Sequence, residues 1–203
     1  MRLFSDLLLS SKTVCKILIL SSTVSQNDRL KYHFKMNVDQ EKKNMNNAVI
    51  YPRFVGIEKE EVLTNSRLLL ETLNPDIVLN FGTSASTKNI LDKDLVIGST
   101  CTFQTPVKKG NKIVDSIDTD YSLSAIAFST KRYKTVHMIP ISECLEKNMC
   151  ESEVATSIAL MADIYNKPYV TLRHITNENE EYEETDQLYE IVHDVCDTVG
   201  CMF

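Results

Sequence analysis

The chain of 203 residues is long enough for one well-buried domain and short for two. Its 43% hydrophobic and 25% charged residues exclude wholesale disorder, and a net charge of -6 argues against non-specific nucleic-acid binding, leaving a small-molecule or protein partner as the better fit. The six cysteines, at 15, 101, 144, 150, 196 and 201, form no CxxC pair and no Cys/His cluster with zinc spacing, so reduced thiols are expected and no metal or cofactor is. Among the five glycines there is neither a GxGxxG fingerprint nor a P-loop.

In chain order, "MRLFSDLLLSSK" is apolar but interrupted by Asp6, lacks a leader-type cleavage site and is read as an extension over 1–13. No stretch reaches the roughly 18 apolar residues of a membrane span, so a cytoplasmic location is expected. "KILIL" (16–20) predicts a buried first strand, with "SSTVSQND" after it as a polar loop. Residues 29–47 read as a surface excursion with at most a short strand near Tyr32 to Val38. "AVIYPRFV" (48–55) predicts a strand made edge-like or irregular by Pro52. After Gly56, Val62, Ser66, Leu69, Leu70 and Leu73 recur at helical spacing up to "NPD".

"IVLNF" (77–81) is a further strand, followed by the loop "GTSASTK" and the strand "DLVIGS" (94–99). Strand, helix and strand in this order make a βαβ unit, hence a mostly parallel central sheet. Residues 104–120 read as loop or hairpin, 121–131 as a helix and "KTVHMIPI" (134–141) as a strand. "CESEVATSIALMADIYNKPYVTLRHITN" (150–177) reads as one helix, one turn and one strand, with the stripe Val154, Ile158, Met161, Ala162 and Tyr165 on the helix. Leu188, Ile191, Val192, Val195 and Val199 define a closing amphipathic helix, and the acidic run 178–186 before it a solvated loop. The architecture is α/β, a central sheet flanked by helices.

Three stretches, "KILIL", "FVGIEKEEV…LLLETLNPDIVLNFGTSAS" and "CESEVATSIALMADIYNKPYVTLRHITN", resemble in order and spacing the nucleoside phosphorylase and nucleosidase superfamily, above all the methylthioadenosine/S-adenosylhomocysteine nucleosidases. The second is similar to that family's Gly-Ile-Gly-Lys segment and Gly-Ser-Ala-Gly-Gly loop, the third to its Glu-Met-Glu-Ala helix and Arg-Ala-Ile-Ser-Asp strand end. The resemblance spans residues 14–199. It implies a single nucleoside phosphorylase-like domain over 14–203, a three-layer α/β/α fold with a mixed, mostly parallel sheet. It also implies a homodimer and a purine nucleoside as ligand.

On the same resemblance Glu153 of "ESE" takes the sugar hydroxyls, with Glu151 and Ser152 beside it. Two acceptor oxygens on one carboxylate suit two vicinal hydroxyls. Gly82, Thr83, Ser84 and Ala85 of "GTSAS" border the sugar and base. Asn80 stands where uridine-type phosphorylases carry a phosphate-binding arginine, which points to hydrolysis rather than phosphorolysis. The family's acid and base are carboxylates, but this chain has Asn177 at the acid's place and Gln26 at the base's, with Asp28 two residues on as an alternative base. Amides cannot exchange protons at neutral pH, and general acid-base catalysis is worth roughly 10² to 10⁴ in rate. Three readings stay open: a nucleosidase, a catalytically silent relative serving as nucleoside sensor or partner subunit, and a phosphorylase of altered base specificity. Arg173 is expected to anchor a neighbouring helix, His174 to be structural, and Phe103 and Phe128 to belong to the core.

Overall fold

The computed structural model describes residues 3–10, 12–86, 95–109, 112–130, 134–139, 149–175 and 186–203. The apolar run at the start forms β1 (Cys15–Ser21), buried on both faces except at Lys16. It lies between two parallel neighbours, β3 (Ala48–Phe54) and β4 (Ile77–Ser86), with Ile17 opposite Ile50 on one side and Ile77 on the other. Between β3 and β4 the chain crosses over through α3 (Lys59–Leu73), as the βαβ pattern requires. Gly56, at φ 96°, makes the turn into α3 with the Glu61 side chain folded over it, a position closed to any residue with a Cβ. Asn74, at φ 43°, ends the helix in the left-handed conformation, its N–H bonded to the Leu70 carbonyl.

β9 (Tyr169–Ile175) runs parallel to β4 and is buried along its whole length. β5 (Leu95–Lys109) pairs antiparallel with β9, parallel with β7 (Lys134–Ile139), and as a bulged hairpin with β6 (Lys112–Asp118). β8 (Met149–Glu151) joins β7 to the end of β4. Strands β4, β8, β7, β5 and β9 therefore pair in a closed circle at the centre of a mixed sheet. Alternating side chains sort the core into two layers around that sheet. Ile17, Ile19, Leu79, Phe81 and Leu172 meet α2 (Val24–His33), α4 (Tyr121–Thr130) and α6 (Asp186–Cys201). Leu18, Leu20, Val78 and Tyr169 belong to the layer that α3 and α5 (Glu153–Ile164) cover. This is the expected three-layer α/β/α arrangement. The five apolar residues foreseen on α6 are all buried.

Four local expectations are corrected. The polar loop after β1 is the helix α2, started by a capping box: Thr23 Oγ1 accepts from the Gln26 N–H at 3.2 Å, and Gln26 Oε1 from the Thr23 N–H at 3.2 Å. Residues 32–38 hold the end of α2 and a turn rather than a strand, and the short strand of that region is β2 (Lys43–Met45). β2 covers β3 only over Ala48 to Ile50, so Pro52 sits where that side of the strand is open, which tolerates its missing N–H. "GTSAS" is the end of β4 rather than a loop, and Met149–Glu151 form a strand before α5 begins.

The N-terminal α1 (Phe4–Leu8) buries Phe4 and Leu7 in the α6-side core, and Phe4 N–H donates to Asp120 Oδ2 at 2.8 Å. Asp120 is buried and also caps α4 through the N–H groups of Ser122 and Leu123.

Burial, the largest cause, pushes the Cys15 and Cys101 thiols up to about 12 from an ordinary 9.0. Folded thiols thus hold protons that the unfolded chain releases. Their contribution to stability is full below about pH 9 and is lost as pH rises toward about 12. We expect thermal midpoints to fall above pH 9, with thiol labelling of Cys15 and Cys101 tracking global unfolding, while exposed Cys201 labels in the native protein. Labelling of Cys15 or Cys101 well below the unfolding transition would contradict this.

Candidate functional site

The carboxyl ends of the parallel strands β1, β3, β4 and β9 lie together, the edge at which open α/β sheets hold ligands. "CES" reaches this edge through β8, whose Glu151 pairs with Ala85 and Cys150 with Ser86. Ser152 then caps α5, its Oγ accepting the Ala155 N–H at 3.1 Å. Its hydroxyl is thereby engaged by the helix. Glu153 is the first residue of α5, with its side chain 28% exposed and Oε1 at 3.8 Å from Lys59 Nζ, where α3 begins. Tyr169 of β9 donates from its hydroxyl to the Ala155 carbonyl at 3.0 Å, locking the first turn of α5 to the sheet. Burial foremost, then nearby Cys101, raises the Tyr169 phenol well above its ordinary range, and Arg173 opposes the shift, so Tyr169 stays a donor.

In β4, Gly82 lies opposite Arg173, Thr83 opposite His174 and Ser84 opposite Ile175. Strand alternation sends Asn80, Gly82 and Ser84 to the α5 side and Thr83 to the α6 side, so the two hydroxyls do not share a face. Asn80 is fully buried. It donates from Nδ2 to the Leu20 carbonyl at 2.8 Å, and its Oδ1 accepts from Thr171 Oγ1 at 3.2 Å and from the Arg173 guanidinium. Arg173, only 1% exposed, therefore braces β9 against β4. Gly82 is the reason the guanidinium fits: a Cβ there would overlap Nη1, and Gln26 Nε2 lies 3.8 Å from the same point. Gly82→Ala is thus expected to cost about 1–3 kcal/mol through overpacking, read as a lowered urea midpoint with an unchanged slope. No loss of stability would mean that the guanidinium has room to move.

Gln26 meets this corner with its amide nitrogen. Its Oε1 is turned away, accepting the N–H groups of Ser22 at 2.8 Å and Thr23 at 3.2 Å. Asp28 is exposed, and two residues along a helix place it about 200° round from Gln26. His174 is 3% exposed and lies between Thr83 of β4 and Leu95 of β5. Asn177 and the side chains of Glu151, Ala85 and Phe128 lie outside the described residues, and Phe103 is partly buried. Gly82, Arg173 and Gln26 are thus brought together, with Glu153 on the helix that follows β8. Lys59 and the Asn80–Arg173 bond were missed by sequence reasoning. The only signal for Lys59 was its place in "GIEK", and for the bond, two polar residues in otherwise apolar strands.

No family model matches the sequence, and no curated protein matches it significantly. Solved structures do resemble it. A futalosine hydrolase mutant of Helicobacter pylori superposes with a TM-score of 0.74 at 16% identity, covering 93% of this chain and 100% of that one. The S-adenosylhomocysteine nucleosidase of Streptococcus pyogenes, in complex with 5-methylthiotubericidin, gives a TM-score of 0.72 at 11% identity, over 93% and 99% of the two chains. An aspartate-to-asparagine mutant of Helicobacter pylori MTAN with 5'-methylthioadenosine in its active site gives 0.67 at 14% identity, over 93% and 94%. Over nearly its whole length, this chain has the α/β fold of the nucleosidases.

Proposed function

We propose that the chain binds a purine nucleoside at the carboxyl ends of β1, β3, β4 and β9, and that where it cuts, it hydrolyses the N-glycosidic bond. The observation that carries this reading is the pairing of β8 with β4, which puts the start of α5, and Glu153 with it, beside the end of "GTSAS". Glu153 then takes the ribose hydroxyls, with Ser84, on the same face of β4, and the backbone of Gly82 and Ala85 toward sugar and base, and Asn177 on the base edge; Thr83, on the other face, is left out of this set. The nucleoside analogue and the nucleoside held by two neighbours of this fold support the choice of ligand. The test is incubation with methylthioadenosine, inosine and uridine, with and without phosphate. Phosphate-independent release of purine base supports hydrolysis. Phosphate-dependent turnover rejects it, and Arg173, a cation beside Gly82 that was not foreseen, makes that arm necessary.

A second reading, a silent relative used as a nucleoside sensor or partner subunit, is favoured by Gln26. Its oxygen is committed to the cap of α2 and its nitrogen faces Gly82, while Asp28 points elsewhere. The neighbour with asparagine in place of aspartate and methylthioadenosine in its active site supports binding without a carboxylic acid at one position. Here Asn177→Asp combined with Gln26→Glu is expected to create turnover, since a glutamate keeps the capping box. Robust turnover before and after the change eliminates the silent reading.

A further inference from the structure

Helices α3 and α5 lie side by side on one face of the sheet, and both begin at the candidate site. Their far ends are fastened twice: the Tyr165 hydroxyl donates to the Glu71 carboxylate, and Lys167 Nζ to Asn74 Oδ1 at 2.7 Å. At their near ends the two first residues face each other, Lys59 Nζ at 3.8 Å from Glu153 Oε1. A cation at the first position of a helix opposes the helix dipole, and Glu60 and Glu61 already supply the favourable charge in that turn. Helix α3 therefore gains nothing from a lysine there. The Glu153 carboxylate does gain: an ammonium on one oxygen restricts its rotation. Each carboxylate oxygen has two acceptor positions, so two hydroxyls can still be bound.

We propose that Lys59 is a positioning residue that orients the Glu153 carboxylate toward the vicinal hydroxyls of a ribose, a role that rests on the nucleoside reading above. The pair is partly exposed, with Lys59 48% and Glu153 28% accessible, so its effect is modest and specific to the diol.

The test is calorimetric titration of the intact protein with formycin A, a C-nucleoside isostere of adenosine whose carbon-carbon glycosidic link cannot be hydrolysed, and with its 2',3'-dideoxy analogue. Lys59→Met weakens formycin A by about threefold to fivefold, leaves the dideoxy compound unchanged, and is rescued by Lys59→Arg. In a Glu153→Gln background Lys59→Met adds no further loss, because the charge that Lys59 orients is gone. Equal weakening of both ligands, or none, overturns the proposal. A wild-type protein that does not prefer formycin A over its dideoxy form removes the nucleoside reading itself, and the proposal with it. A wild-type preference that Lys59→Met leaves intact removes the proposal alone.

Discussion

Glu153→Ala is expected to weaken binding of a purine ribonucleoside by at least about 100-fold and to erase its advantage over the 2',3'-dideoxy form. The magnitude follows from the acceptor chemistry. A carboxylate receiving two hydroxyls makes two charge-assisted hydrogen bonds, each worth roughly 1.5–3 kcal/mol, and alanine leaves both hydroxyls to be desolvated without a partner. The competing explanation for such a loss is a damaged fold, and the surroundings of Glu153 argue against it. Ser152 caps α5, and Tyr169 holds the Ala155 carbonyl, so the first turn survives without the glutamate. What the fold loses is a first-turn acid, worth about 0.3–1 kcal/mol, and one partly exposed ion pair with Lys59. At this chain length that amounts to a fall in the thermal midpoint of only about 2–6 °C. The measurement is therefore paired: calorimetric titration for binding and a melt for the fold. Full affinity in the alanine variant would dismiss Glu153 as the ribose ligand, however well folded the protein proves to be.

How far this architecture could be read from its residues depends on which physical term decided each element. β1, α3 and α6 were legible because burial alone dictates them. A short apolar run with isoleucines, bounded by polar turn residues, fits a buried strand, and stripes such as Val62, Ser66, Leu70 or Leu188, Ile191, Val195 have one helical period. "GTSAS" failed as a strand by composition, since a glycine and small polar residues carry turn propensity. Its strand conformation is imposed by β9 on one side and β8 on the other, partners far away in the chain. β8 is too short to leave any pattern of its own. The capping box of "TVSQ" was present in the sequence, yet polar residues satisfying helix-end N–H groups look like loop until the helix is known. At the site, the glutamate and glycine were legible as residue types. The bracing of Arg173 by Asn80 was not, because it depends on the register of β9 against β4, with Thr171 rather than Arg173 directly opposite Asn80.

That bracing carries the largest stability effect. Asn80→Ala is expected to cost about 3–5 kcal/mol, a drop of roughly 10 °C or more in the thermal midpoint. Alanine removes three bonds at once, those to Leu20, Thr171 and Arg173, but they do not weigh equally. The Leu20 carbonyl and the Thr171 hydroxyl are neutral, and a neutral hydrogen bond contributes about 1 kcal/mol net. The guanidinium is charged and almost wholly buried, so taking away an acceptor leaves part of its desolvation uncompensated, which is the costlier loss. Thr171→Val, which removes only a neutral bond, should accordingly cost roughly 1 kcal/mol. Removing the charge along with its acceptor discriminates between the two origins of the loss. If the buried charge dominates, Asn80→Leu combined with Arg173→Met costs less than the sum of the two single changes, because without the guanidinium the lost Asn80 acceptor leaves no charge uncompensated. If the double variant is as unstable as the sum of the singles, the cost lies in packing around Leu20 and Gly82, and the charge argument fails. Urea midpoints of the wild type, Asn80→Leu, Arg173→Met and the double variant decide between them, and the sign of the non-additivity is the quantity to read.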